Sequence, residues 1–221
     1  MPLVDYPRGP QRRVVPSRLH AMASLAGGGA LSYLPGSCVP DMSDLVGRGI
    51  IISGGAFVSA DAVLEGDIFI GPGTVINPLC EIRAVSGPIC IGEDNIFEER
   101  VVVRSDHPEG MGTMIGNLNL FEVGSIVEAC DIGTCNLIGI KAHLRSGSEV
   151  ASGCVISAAA FVEANEKLEN HTIVYRIGDA CRQRIQPRAQ NLHFGIFRKY
   201  LDAIQEPDSR TNVANGLTLR P

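Results

Sequence analysis

"IFIGPGTVINPLCEI", residues 68–82, carries an aliphatic side chain at every sixth position: Ile70, Ile76 and Ile82. An α-helix repeats near 3.6 residues and a half-buried strand near 2. Six is a multiple of two, so strands are compatible with the pattern. One continuous strand, however, does not run through Gly71, Pro72, Gly73 and Pro78, because Pro removes a ladder donor and Gly weakens strand interiors. The stretch therefore reads as short strands separated by corners.

The same step extends outward in both directions. From Ile52 it reaches Val58, Leu64, Ile70, Ile76 and Ile82. From Ile132 it reaches Ile138, Leu144, Val150, Ile156, Val162 and Leu168. Two shorter runs lie between them: Ile91, Phe97, Val103, and Ile115, Phe121, Val127. The phase slips near 83–88, 104–114 and 128–131, where loops or corner adjustments are expected. Four residues after each anchor the side chain is usually small, as at Ala56, Ala62, Thr74, Cys80, Ala142, Ser148, Cys154 and Ala160, with Ile68 and Asn136 as exceptions. Gly follows the anchor at Gly71, Gly92, Gly116, Gly133 and Gly139. This is the hexapeptide pattern of a parallel β-helix.

Each hexad is a short strand plus a tight corner, and three hexads close a triangular coil of about 18 residues. Anchors stack inside, small residues occupy the crowded corners, and Gly is expected to supply unusual backbone angles at the turns. About seven coils at roughly 4.8 Å give a prism about 33 Å long. In this frame Cys80 and Cys154 are small apolar filler.

Composition agrees with that core. The chain has 221 residues, 45% hydrophobic but only 5% aromatic, with 25 Gly, 13 Pro and no Trp. No apolar run approaches the roughly 20 residues that span a bilayer, so direct membrane insertion is not expected, and the N-terminal region lacks the continuous apolar core of a secretory signal. Seven cysteines, without a CxxC, argue against a disulfide framework or a zinc knuckle and fit a reducing compartment. Residues 49–174 hold 6 Lys+Arg against 17 Asp+Glu, whereas residues 175–221 hold 8 against 4. An acidic body repels phosphates, so no nucleic-acid partner is expected.

Four segments follow: an N-terminal arm expected to be disordered (1–48), the β-helix (49–176), a C-terminal segment with an amphipathic helix (177–207), and a flexible tail (208–221). The arm contains "PRGPQRRVVPSRLH", with four arginines and no acid. Besides a disordered arm or a wrongly assigned start, it admits a mitochondrial transit peptide, though Pro7, Pro10 and Pro16 oppose the helix such a peptide needs. In "NLHFGIFRKYLDAIQEP" the period becomes helical: Leu192, Ile196, Phe197, Tyr200, Leu201 and Ile204 share one side, opposite Arg198, Lys199 and Asp202. Such a helix is expected to pack along one face of the prism.

Hexapeptide β-helices serve as acyltransferases, γ-class carbonic anhydrases or scaffolds. The segment "EGDIFIGPGTVINPLCEIRAVSGPICIGEDNIFEERVVVRSD" resembles the γ-class repeat closely. That resemblance implies three zinc histidines: one ending the strand matched by "VVVR", one in a Val-Gly-His motif and one in His-Gly-Cys. Here "VVVR" has no His, Ser125 follows Val123-Gly124, and no His lies near Ala129-Cys130. His107 stands alone in "SDHPEG", and His143 and His171 fall in later coils without spaced partners. A catalytic zinc needs three protein ligands and an open position. An acyltransferase needs a general-base His in a cleft beside coenzyme A, and His143 is the sole candidate inside a well-phased coil. No Walker loop, GxSxG elbow or HExxH occurs. No catalytic, cofactor-binding or metal-binding residue is therefore assigned.

From about residue 49 to 205 the chain resembles the dynactin subunit 6 family. The residues that carry this are "GDIFIGPGTVINPLCEIRAVSGPICIGEDNIFEE", "IGNLNLFEVGSIVEACDIGTCNLIGIKAHL" and "ASGCVISAAAFVEANEKLENHTIVYRIGDACRQR", with "FEVG" lacking zinc histidines, an N-x-I-x-x-K-A motif and "IVYxxxxxCRxR". The resemblance implies a left-handed parallel β-helix and a non-enzymatic role in dynactin, the cofactor of the microtubule motor dynein. It implies pairing with dynactin subunit 5, another β-helix, at the pointed end of the actin-related filament, beside an actin-related protein and dynactin subunit 4. It implies a place in the cytoplasm and cytoskeleton, in a region that helps reach membranes and cargo adaptors. The alternatives are an inactive γ-carbonic-anhydrase-like protein of a mitochondrial assembly and a trimeric acyltransferase.

Overall fold

The computed structural model describes residues 42–106, 112–128, 131–178 and 180–185. Within them the period-six reading becomes three parallel sheets wound as a solenoid of about seven turns. Sheet A stacks β1 (Ile50–Ile52), β4 (Ile68–Ile70), β7 (Ile89–Ile91), β10 (Thr113–Ile115), β13 (Asp131–Ile132), β16 (Glu149–Val150) and β19 (Lys167–Leu168). Sheet B stacks β2 (Phe57–Val58), β5 (Val75–Ile76), β8 (Ile96–Phe97), β11 (Leu120–Phe121), β14 (Leu137–Ile138), β17 (Val155–Ile156) and β20 (Thr172–Ile177), then β21 (Ala180–Ile185). Sheet C stacks β3 (Val63–Glu65), β6 (Glu81–Ala84), β9 (Val102–Ser105), β12 (Ile126–Glu128), β15 (His143–Leu144) and β18 (Phe161–Val162).

The anchors are the core. Ile70, Ile76, Ile82, Ile91, Phe97, Val103, Phe121, Val127, Ile138 and Leu144 are wholly buried in one cluster. Phe97 and Phe121 stack face to face between coils, with ring centroids 4.4 Å apart. Cys80 and Cys154 are buried filler, and burial pushes the Cys80 thiol up to about 11.

The phase slips share one corner. Anchors on sheet A pair as Ile52, Ile70, Ile91, Ile115 and Ile132, so successive coils hold 18, 21, 24 and 17 residues. The irregular lengths arise between Ile82 and Ile91, Val103 and Ile115, and Val127 and Ile132, always where sheet C hands over to sheet A. The other two corners keep strict period.

Three local features differ from expectation. The anchor-following glycines Gly71, Gly92, Gly116, Gly133 and Gly139 do not adopt left-handed angles. Their reason is space: a Cβ on Gly71 would lie 2.5 Å from the Gly92 carbonyl oxygen, and one on Gly116 would lie 2.6 Å from that of Gly133. Other glycines do supply left-handed corners, at Gly55, Gly73, Gly124, Gly147 and Gly153, and non-glycine residues such as Asp94, Leu118, Cys135, Leu79, Arg100 and Lys141 share that role.

Second, residues 42–48 of the expected arm are ordered. Met42–Leu45 forms a short helix, α1, whose Leu45 is buried on Phe69 and Cys90 with Met42, Ile51 and Met114 around them. Those residues occupy the outward register of β1, β4, β7 and β10. An outward apolar column on a sheet requires a cover, and α1 supplies it. Asp67 secures the entry, accepting from the Gly47 and Gly49 amides at 2.6 and 2.8 Å.

Third, the start of the expected C-terminal segment is a strand. β21 runs antiparallel to β20, from Thr172↔Ile185 to Ile177↔Ala180, and so pairs the last open edge of sheet B. The rest of the arm, the amphipathic helix of 192–204 and the tail lie outside the described residues.

Candidate functional site

The positions that a zinc reading would require are scattered over different surfaces. Arg104, where the first histidine would stand, is exposed at the end of β9, and Ser125 is buried in a corner between sheets B and C. His143 lies on the outward side of β15, half-exposed, with Nε2 2.9 Å from Glu128 Oε2. His171 sits at a left-handed corner between sheets A and B (φ 61°), and a Cβ on Gly153 would lie 2.4 Å from its Nδ1. Among the described residues no three His, Cys, Asp or Glu side chains form a metal-sized group; His107, Ala129 and Cys130 lie outside those residues. Glu128 orients the imidazole of His143, but its register neighbours are Ile126 and Phe161 on a flat sheet face. That is the setting of a surface hydrogen bond, not of a substrate cleft.

Polar side chains instead form ladders that tie coil to coil. Inside the corner between sheets A and B, Thr74, Asn95, Asn119 and Asn136 stack. The Asn95 amide donates to Thr74 Oγ1 at 3.2 Å, the Asn119 amide to Asn95 Oδ1 at 2.9 Å, and the Asn136 amide to Asn119 Oδ1 at 2.9 Å. The Cys154 amide closes the series on Asn136 Oδ1 at 2.7 Å. Each rung satisfies a backbone donor that the tight corner would leave unpaired. Sequence reasoning treated Asn136 as an exception. The signal was there in "NIF", "NLF" and "NLI", where Asn precedes each anchor of sheet B by two residues.

The corner between sheets B and C carries carboxylates in the same role. Glu98 accepts from the Val123 amide at 3.1 Å and Glu122 from the Ile140 amide at 2.9 Å. Burial pushes the Glu98 carboxyl up; the Val123 amide opposes this, and the nearby Glu122 and Glu99 charges add to it. On the outward face of sheet C, Glu65 pairs with Arg83 at 2.6 Å, Arg145 pairs with Glu163, and Arg145 lies over the Phe161 ring.

The two ends of the solenoid differ. At the far end Leu168, Val162 and Val174 are buried, and Cys181 of β21 packs there, its sulfur accepting from the Phe161 amide at 3.2 Å. At the near end Ile50, Ile52, Ala62 and Leu64 are only half-buried. There β1, β2 and β3 each have a strand on one side only among the described residues. Among the described residues this end presents three strand edges around half-buried aliphatics, against two, β18 and β19, at the far end.

Comparison with known proteins places these features. No family model matches the chain. Dynactin subunit 6 of Xenopus tropicalis is 35% identical over 162 residues, covering 68% of this chain and 80% of that protein. Dynactin subunit 6 of Nematostella vectensis is 34% identical over 166 residues, covering 70% of this chain and 89% of that one. Among solved structures, a hexapeptide transferase family protein from Anaplasma phagocytophilum superposes with a TM-score of 0.62 at 18% identity, over 70% of this chain and 90% of that one. The last likeness concerns the fold alone.

Proposed function

Since the chain belongs to the dynactin subunit 6 family, we propose that it is a non-enzymatic structural subunit of a dynactin complex. In this reading it belongs to the pointed-end assembly that supports dynein-driven transport along microtubules, in the cytoplasm. Its partners are dynactin subunit 5, a pointed-end actin-related protein and dynactin subunit 4.

The observation that carries the reading is the near end, where β1, β2 and β3 each have a strand on one side only among the described residues. Exposed strand edges template further pairing and have to be covered. A second parallel β-helix matches three edges at once and extends the core over Ile50, Ile52 and Leu64. Dispersed histidines and coil-tying carboxylates fit a building block better than a catalyst.

The test is sedimentation of the tagged endogenous protein from gently lysed cells, with mass spectrometry of the peak. Co-migration with dynein–dynactin subunits in a very large particle is expected. A homotrimer migrating alone would overturn the proposal and turn attention to coenzyme A thioester turnover.

A further inference from the structure

Along sheet C each coil donates to the next from the same register position. The Val63 amide donates to the Cys80 carbonyl, Glu81 to Val101, Val102 to Ser125, Ile126 to Ala142 and His143 to Ala160. Two residues on, the Arg145 amide donates to the Val162 carbonyl at 3.2 Å. In the last strand of the sheet the equivalent amides are those of Phe161 and Glu163. A further coil would have to accept from both, yet side chains already do so. The Phe161 amide donates to Cys181 Sγ at 3.2 Å and the Glu163 amide to Glu166 Oε2 at 2.8 Å. On sheet B the antiparallel β21 takes the place of a further parallel strand. β20 and β21 have six residues each, against two in every strand from β13 to β19. Arg176 ties this hairpin down, donating from Nε to the Gly178 carbonyl at 2.8 Å and from Nη1 to the Ala159 carbonyl at 3.4 Å. On sheet A the open edge of β19 carries an exposed Lys167, and charged edge residues oppose strand addition. The near end has three open edges and no such hairpin among the described residues.

We infer that the far end is a cap that stops a second copy of this chain from stacking end to end, so that the near end takes a β-helix of different sequence whose last coil is uncapped. The inference rests on the near-end reading above and adds why the partner is not the chain itself. Coils of one chain repeat the same register, so an uncapped far end would fit the near end of the next copy. A head-to-tail contact of that kind does not close and grows into a filament. The cap removes the fit at three places. Cys181 and Glu166 hold the amides that an incoming coil must use. The Glu166 carboxylate is an acceptor only, and it sits where that coil would place a carbonyl oxygen. β21 runs opposite to the strand that a parallel coil would add. At the near end the half-buried Ile50, Ile52 and Leu64 still await a coil that continues the interior.

Sedimentation of the full chain over a concentration series tests the cap. The parent is expected to stay monomeric. Glu166→Ala combined with Cys181→Pro frees both amides and breaks β21; this variant should self-associate at least about tenfold more tightly than the parent. Adding Ile50→Lys and Leu64→Lys should abolish that association. A capless variant as monomeric as the parent overturns the inference, and so does a parent that associates as tightly as the variant. Association that survives the two lysines also overturns it, because the contact then lies away from the near end. Should the proline variant lose its β-sheet circular dichroism, amide exchange in two milder variants gives the independent answer. Glu166→Ala should speed exchange at Glu163 by at least about tenfold and leave Phe161 unchanged, and Cys181→Ala should do the reverse. Unchanged exchange in both refutes the cap. Co-purification of the parent with subunit 5 probes the near-end reading separately: its failure removes that reading, while self-association still decides the cap.

Discussion

Gly54 and Gly71 both occupy corners between sheets A and B, but they answer to different constraints. A Cβ on Gly54 meets nothing within 4 Å among the described residues, and its φ is not left-handed. One on Gly71 drives into the carbonyl of the next coil, 2.5 Å away. Gly54→Ala is therefore expected to raise stability by about 0.5 kcal/mol through the unfolded chain. Gly71→Ala should lower it by roughly 2 kcal/mol through overpacking. Urea midpoints of the two variants check the pair; equal shifts would dismiss coil crowding as the reason for the glycine column. Glu98 offers a second residue-scale test. Its folded-state pKa is raised, so its contribution is fully present below the unfolded carboxylate value near 4.5 and is lost as pH rises through the folded value. Glu98→Gln keeps an acceptor for the Val123 amide and removes the charge. Its melting temperature should exceed that of the parent at pH 7, and the gap should close as pH falls to 4.5. A gap that widens toward acid would reverse the assigned sign.

At the scale of elements, α1 is four residues long and owes its place to packing rather than to helix propensity, since isolated helices this short do not persist. Its Leu45 seals Cys90, whose thiol burial pushes up to about 12. Leu45→Asp should release α1 and let Cys90 react with a maleimide at pH 7.5, as its pKa returns toward the ordinary thiol range. Peptide mapping separates Cys90 from the other cysteines, and unchanged protection would mean that α1 is not the seal. The same elements show what was legible beforehand. Ile52 to Leu168 announced strands, corners and phase slips, because the interior of a triangular coil accepts apolar groups only at fixed steps. The Asn95–Asn119–Asn136 ladder escaped notice because polar residues at a small-residue position look like noise until their register is known. Helix α1 escaped because four residues carry no period. The return of β21 escaped because "IVYRIGDACRQR" alternates weakly, although the two-residue Gly178-Asp179 between Ile177 and Ala180 is a hairpin signal in the sequence. That the slips share one corner needed the sheets themselves.

At the scale of the molecule, the question is which surface a partner covers. At the far end Leu168, Val162 and Val174 are buried and β21 pairs the edge of sheet B, while β18 and β19 each have a strand on one side only among the described residues; α1 covers the lower part of sheet A. The near end and the outward face of sheet C compete for the partner. Sheet C presents the carboxylates Glu65, Glu81, Glu128 and Glu163, paired with Arg83, His143 and Arg145. Exposed pairs of this kind contribute little to binding energy. The near end presents half-buried aliphatics and open strand edges, which gain both apolar burial and backbone hydrogen bonds when a second β-helix continues the coil. The proposed pairing with subunit 5 should therefore depend on this end. Ile50→Lys combined with Leu64→Lys is expected to weaken that pairing by at least about tenfold, because lysine heads must either be desolvated or hold the partner away. The isolated chain should keep its circular dichroism, since both positions border the core and do not fill it. Arg104→Glu on sheet C should leave the pairing unchanged. Co-purification of each variant with tagged subunit 5, after equal expression, decides between the surfaces: loss with Arg104→Glu and retention with the two lysines would move the contact to sheet C.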